Sequence, residues 1–242
     1  MVTIGVIGLG TFGCRVVEEL SHMEADIIIV DRNRDVIEKY KDVAKDAYIT
    51  DAINEETLKR IFPSDIDSVV IDLGDQLESC ILVTNLLSKM NVQEIVVKAK
   101  TEQQGEILKL VGATTIVYPD LDAAMNITPL LVSSVMLNYM QISEELAIAE
   151  IVCAKELVGK TLAQSGLRQV YNLNLMAYRT NVKEKHVFVN SPSLILKEDM
   201  LLLVAGSEKS IQSYVSKIEA DTGVLSKKIK KASLISRVLS RG

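Results

Sequence analysis

The first half of the chain alternates short, almost uniformly apolar runs with longer stretches whose apolar residues recur every three or four positions. The apolar runs 2–7, 27–31, 46–49, 68–72, 94–98 and 114–118 are rich in Ile and Val, and each is followed by a helical pattern or a turn. Apolar residues at nearly every position suit strands covered on both faces, and strands separated by helices suit a parallel sheet. The pattern therefore predicts an α/β fold, a Rossmann-like doubly wound parallel sheet over residues 1–121. Local signals agree. Asn54 stands as an N-cap before Glu55 and Glu56, acids suited to a first helical turn, and Phe62-Pro63 closes that helix.

Near Pro119 the pattern changes. Residues 122–141 read as one long helix, rich in Leu, Val, Met, Ser and Asn, which Pro129 starts or interrupts. Such a helix is apolar on too many sides for an exposed surface, so the segment 122–144 is expected to cross to another subunit. Strands are expected at 146–153, 174–180, 186–189 and 200–205, with a helix at 160–170. Together they form a second, smaller α/β domain over 145–213. The remainder, 214–242, carries Lys227, Lys228, Lys230 and Lys231 with Ile229, Leu234 and Ile235 interleaved. This basic amphipathic segment reads either as a contact to membrane or transporter or as a solvated terminus.

Composition narrows the class. With 242 residues, 48% hydrophobic and 24% charged, the chain is long enough and apolar enough for a sizeable globular core. Aromatic residues make up 4% and tryptophan is absent, so the core must be aliphatic. A net charge of −5 argues against a nucleic-acid partner. No apolar run reaches the roughly 18–20 residues of a membrane span, and the first residues show no basic region or cleavage site of a leader. Cys14, Cys80 and Cys153 are widely spaced and odd in number, as in reduced thiols of a cytoplasmic protein.

The candidate chemistry begins at Gly8-Leu9-Gly10-Thr11-Phe12-Gly13, which lies between the first strand and the first helix. In a dinucleotide fingerprint Gly8 makes the tight turn, Gly10 admits the diphosphate and Gly13 lets helix and strand pack closely. The diphosphate would rest on the helix N-terminus from Phe12 onward. Asp31 ends the second strand 18 residues after Gly13, close to the spacing of a ribose-binding carboxylate. A carboxylate there accepts from a free ribose diol and repels a 2′-phosphate, which disfavours NADP. Arg32 either stacks on adenine or is solvated. NAD(H), ATP, ADP and AMP all remain admissible.

Little else points to catalysis. His22 falls on the back of the first helix and His186 in a polar loop-strand of the small domain, and no nucleophile triad, metal-ligand cluster or Walker lysine is present. A ligand sensor is the leading reading, with no enzymatic activity. The alternatives are a soluble NAD-dependent oxidoreductase and an oligomeric scaffold with an empty cleft.

With these elements located, the chain resembles the regulatory proteins of Ktr/Trk-type potassium transporters, also called RCK or KTN proteins. The resemblance runs from Val2 to about Tyr214. It rests on Val6-Ile7-Gly8-Leu9-Gly10-Thr11-Phe12-Gly13, Val30-Asp31, Thr50-Asp51-Ala52, Val96-Val97-Lys98-Ala99, Gly112-Ala113 and Tyr118-Pro119. Leu157-Val158-Gly159-Lys160-Thr161-Leu162, Leu167-Arg168 and Leu202-Leu203-Val204-Ala205-Gly206 resemble the family's second domain.

What the resemblance implies is a cytoplasmic gating subunit that binds ATP or ADP, or NAD(H), and regulates a membrane potassium-translocating subunit. It would lie peripheral to the inner face of the cell membrane, assembled as an octameric ring of dimers. Gly8, Gly10, Phe12 and Gly13 would hold the phosphates, Asp31 the ribose, and Asp51 and Ala52 the adenine edge; Thr11, within the glycine turn, and Arg32, beside Asp31, complete the candidate set. Gly74 and Lys98 would complete the pocket mouth. By the same resemblance Asp120 would help hold a divalent cation at a dimer contact, and Arg168 with Asn174 a second ligand, cyclic di-AMP, in the second domain. The chain has Thr11 where ATP-preferring members of the family often carry an arginine that reaches the terminal phosphate of a neighbouring subunit's nucleotide.

Overall fold

The computed structural model describes residues 1–222, and the expectation for the basic segment falls mainly on 223–242, outside the described residues. The chain divides into two compact units, Met1–Asp122 and a second from Ala123 onward. In the first unit the order is β1 (Val2–Ile7), α1 (Thr11–Leu20), β2 (Ala25–Asp31), α2 (Arg34–Tyr40), β3 (Asp46–Ile49), α3 (Glu55–Ile61), β4 (Ser68–Ile71), α4 (Leu77–Lys89), β5 (Glu94–Lys98), α5 (Glu102–Leu110) and β6 (Thr115–Val117).

These six strands form a parallel sheet in the order β3-β2-β1-β4-β5-β6. Consecutive side chains of its central strands enter different cores. Val6, Ile27 and Ile29 pack with Val17 and Ile37 on one face, while Ile7, Ile28 and Val30 pack with Leu58, Val83 and Leu87 on the other. This is the physical reason that the strands read as unbroken apolar runs. Strands are added outward from β1 in one direction and outward from β4 in the other, and the register Ile7↔Val30 and Ile7↔Ile71 sets the carboxyl ends of β1, β2 and β4 level at that switch. Open α/β sheets bind their ligands at such a switch point.

The helix α6 (Pro119–Val132) is shorter and starts earlier than the one expected at 122–141. Pro119 suits a first helical position because its missing N–H would be unpaired there anyway. The helix ends where Ser133 Oγ accepts the N–H groups of Val135 and Met136 and, with Ser134, bonds Glu219. Residues Met136–Gln141 are then a strand, β7, not helix.

After β7 come β8 (Ala147–Val152), a 3-10 turn at Lys155–Leu157, α7 (Leu162–Ser165), α8 (Leu167–Tyr171), β9 (Asn174–Arg179), β10 (Val187–Phe188), β11 (Leu201–Gly206) and α9 (Glu208–Thr222). The strands form an antiparallel sheet in the order β10-β9-β11-β8-β7. The single helix expected at 160–170 is two short ones, because Gly166 between them adopts φ +71°. Residue 213, the expected end of the domain, lies inside α9, whose Ile211, Tyr214, Val215 and Ile218 are buried against Ile151, Leu202 and Val204.

Among the described residues two carboxylates are buried, Asp72 after β4 and Glu150 in β8. Glu150 is 0% exposed and receives Arg179 through Nε at 2.5 Å and Nη2 at 2.6 Å, with Asn138 Nδ2 and His186 Nε2 as further partners. Burial works to raise its pKa. The hydrogen bonds from Arg179, Asn138 and His186 outweigh that and hold it below the usual carboxylate value. No helix among the described residues is long and apolar enough to cross a membrane.

Candidate functional site

The site grows out of the turn after β1. Gly8 leaves the strand at φ +85° while its N–H donates to the Val30 carbonyl at 2.8 Å. Any larger residue is obstructed as well as strained, since a Cβ would lie 2.1 Å from the Asp72 carbonyl oxygen. The turn then approaches β2: Leu9 N–H donates to Asp31 Oδ2 at 2.6 Å and Asn33 N–H to Oδ1 at 2.7 Å. Both Asp31 oxygens are thereby fixed in place, each with further lone pairs to offer.

The helix α1 starts with Gly10 as its N-cap, no side chain capping it and no acid in its first turn. The N–H groups of Gly10, Thr11 and Phe12 find no acceptor among the described residues. An uncapped helix start of this kind attracts anions through its open donors and its dipole. The next donor is taken, because Gly13 N–H donates to Asp72 Oδ2 at 2.9 Å. Gly13 also packs so tightly on the turn that a Cβ would sit 2.1 Å from the Gly8 carbonyl oxygen.

A cleft of about 360 Å³ opens above this turn at the carboxyl ends of the strands. Gly8 and Gly10 line it from the turn after β1, Asp31 and Arg32 from the end of β2 and the residue after it, Asp51 and Ala52 from the turn after β3, and Gly74 from the turn after β4. Seven of the expected residues are thus brought together. Thr11, Phe12 and Gly13 begin α1 beside the cleft without lining it. Lys98 is also outside the lining, its Nζ 3.3 Å from Asp72 Oδ1.

Three expected residues lie apart from the cleft. Asp120 is exposed in the first turn of α6, and among the described residues no group of three candidate ligands gathers for a metal. Arg168 on α8 and Asn174 at the start of β9 are exposed in the second unit. Neither histidine lines the cleft: His22 is exposed in the turn after α1, and His186 bonds Glu150.

Sequence reasoning missed Asp72, Asp75, Asn33 and Thr50, all of which line the cleft. Asp72 was the one with a readable signal, as an acid directly following β4 at the switch point. Asp75 pairs with Lys100, whose hydrogen bond and charge hold the carboxyl below its usual pKa. The arrangement can accept a ribose diol at Asp31 and bind phosphate on open N–H groups, with Arg32 and Ala52 also lining the cleft. These donors and acceptors suit the ribose and phosphates of a nucleotide.

The TrkA-N domain family matches residues 4–119 and the TrkA-C domain family residues 147–219. The Ktr system potassium uptake protein C of Bacillus subtilis (strain 168) is 32% identical over 213 residues, 88% of this chain and 96% of that protein. The Ktr system potassium uptake protein A of the same organism is 27% identical over 209 residues, 86% of this chain and 93% of that protein. Among solved structures the GsuK channel shares the fold, with a TM-score of 0.62 at 18% identity over 88% of this chain. The chain spans 38% of the length of that solved chain.

Proposed function

We propose that this chain, which belongs to the family built of a TrkA-N and a TrkA-C domain, is a regulatory subunit of a potassium uptake system controlled by an adenine nucleotide. The observation that carries the reading is the constellation at the switch point: an uncapped α1 preceded by the Gly8 turn, with Asp31 fixed at the end of β2. The relatives, both potassium uptake proteins of the Ktr system, support the physiological role. ATP, ADP and NAD(H) are the candidate ligands. The membrane potassium-translocating subunit is the partner, met at the cytoplasmic face of the membrane.

Assembly follows from α6. None of its residues is buried within the chain, and Leu121, Met125, Ile127 and Val132 are exposed. An apolar helix of this kind is covered by a second copy, consistent with a ring of dimers that is octameric when complete. Asp120 at the start of that helix would then lie where two copies can share a divalent cation. Arg168 and Asn174 remain the candidate contacts for a second ligand in the smaller domain.

The ribose assignment is tested by Asp31→Ala. Its loss removes the acceptor for the diol and is expected to weaken adenine-nucleotide binding by about 1.5–3 kcal/mol, the scale of a hydrogen bond to a charged group. Isothermal calorimetry measures this, with thermal unfolding run in parallel because Asp31 also holds the Leu9 and Asn33 N–H groups. A folded variant with unchanged affinity would remove ribose from Asp31.

A further inference from the structure

Asp72 is 3% exposed, yet it lines the nucleotide cleft. Its Oδ2 accepts the Gly13 N–H, while Oδ1 has no hydrogen-bond partner among the described residues and lies 3.3 Å from Lys98 Nζ. Gly10 presses against the same carboxylate so closely that a Cβ there would be 2.6 Å from Oδ2. A buried negative charge therefore sits directly beneath the turn that offers its N–H groups to phosphate. It also occupies two groups that would otherwise serve the ligand, the Gly13 donor and the Lys98 ammonium.

The rest of the lining does not offset this. Asp31, Asp51, Asp72 and Asp75 line the cleft against one cationic side chain, Arg32. Lys100, near the mouth, is paired with Asp75. Position 11, at the start of α1, holds an uncharged threonine. Like charges in a site of reduced dielectric repel strongly, so every phosphate charge brought to the turn is opposed by Asp72. The opposition is least for a diphosphate esterified at both ends and greatest for an uncomplexed triphosphate.

We propose that Asp72 is a specificity-determining residue that limits how much phosphate charge the cleft accepts, so that it favours a dinucleotide over a free nucleoside triphosphate. This deepens, and rests on, the nucleotide-binding reading above. Lys98, 3.3 Å from Oδ1 and outside the cleft lining, offsets the Asp72 charge only in part, and removing either one shifts the balance in the opposite direction.

The test uses the full chain with Asp72→Asn, which removes the charge but keeps an oxygen for the Gly13 N–H. Calorimetry with ATP, ADP and NAD is run in EDTA and repeated with magnesium. Free ATP affinity is expected to rise on the order of tenfold, with NAD affinity changing by about threefold or less. Lys98→Met should do the reverse, weakening ATP more than NAD, and it carries the test if Asp72→Asn does not fold. Equal changes for all three ligands would overturn the proposal and make Asp72 a structural prop. A fall in magnesium-ATP affinity in Asp72→Asn would also overturn it, because the carboxylate would then be holding the cation. Wild type that binds no nucleotide defeats the nucleotide reading itself. Wild type that binds nucleotides, with variants that leave the ATP-to-NAD ratio unmoved, defeats this inference alone.

Discussion

Gly8→Ala is expected to destabilise the first unit by about 3 kcal/mol or more and to abolish nucleotide binding. Two independent penalties meet at this residue. Its φ of +85° is one that L side chains rarely adopt, and the new Cβ would meet the Asp72 carbonyl oxygen at 2.1 Å. That obstacle is backbone, held in place because the Asp72 N–H donates to the Ile7 carbonyl at 2.8 Å, so no side-chain rotation relieves it. Gly74→Ala is the control. Gly74 also has a positive φ, +62°, but nothing lies within 4 Å of its Cβ position. It should cost only the conformational part, about 1–2 kcal/mol. Urea unfolding of both variants measures the difference, and equal losses would contradict the account of the turn.

Arg179→Met is expected to cost the second unit about 3–5 kcal/mol, because it leaves Glu150 charged, buried and short of its main partner. The double variant Glu150→Leu with Arg179→Met should recover most of that loss, since an apolar pair needs no compensation. The pH dependence gives a second signature. In the wild type the Glu150 carboxyl sits below its usual 4.5, so its contribution is fully present above about pH 4.5 and is lost as pH falls through the lower folded value. In Arg179→Met burial dominates and the folded value rises above the unfolded one, so the stability deficit should shrink on acidification. Urea titrations across pH 3–7 test this. A deficit that grows as pH falls would contradict the assignment of Arg179 as the group that holds the charge.

The first unit was legible because its signals are local and repeated. Stretches such as residues 69–71 and 95–97 are wholly apolar since both sheet faces are covered, and turns follow them. The glycine turn and Asp31 were legible for the same reason: their spacing along the chain is the spacing of the elements that carry them.

The misreadings came where long-range partners decide. Residues 136–141 are apolar enough to continue a helix. What stops α6 is the bonding of Ser133 and Ser134 to Glu219, 85 or more residues later. The last helix was readable from Ile211, Tyr214, Val215 and Ile218, which recur at helical spacing, and the boundary expected at 213 falls inside it. Asp72 looked like the polar end of a strand. Its place in the site comes from Gly10, Gly13 and Lys98, which the chain brings to it from other elements. Glu150 and Arg179 likewise sit on separate strands, β8 and β9, and neither carries a local motif.

The central claim is that nucleotide at the β1–β4 switch point regulates potassium movement through a partner. The most direct measurement is potassium flux through the cognate membrane subunit in liposomes, assembled with this chain, under ATP, ADP, NAD or NADH in turn. A regulating ligand must bind two states of the assembly unequally, so at least one nucleotide should change the flux, and Asp31→Ala should blunt that change in proportion to its lost affinity. A correctly assembled complex whose flux is the same with every nucleotide, and the same in Asp31→Ala, would contradict it.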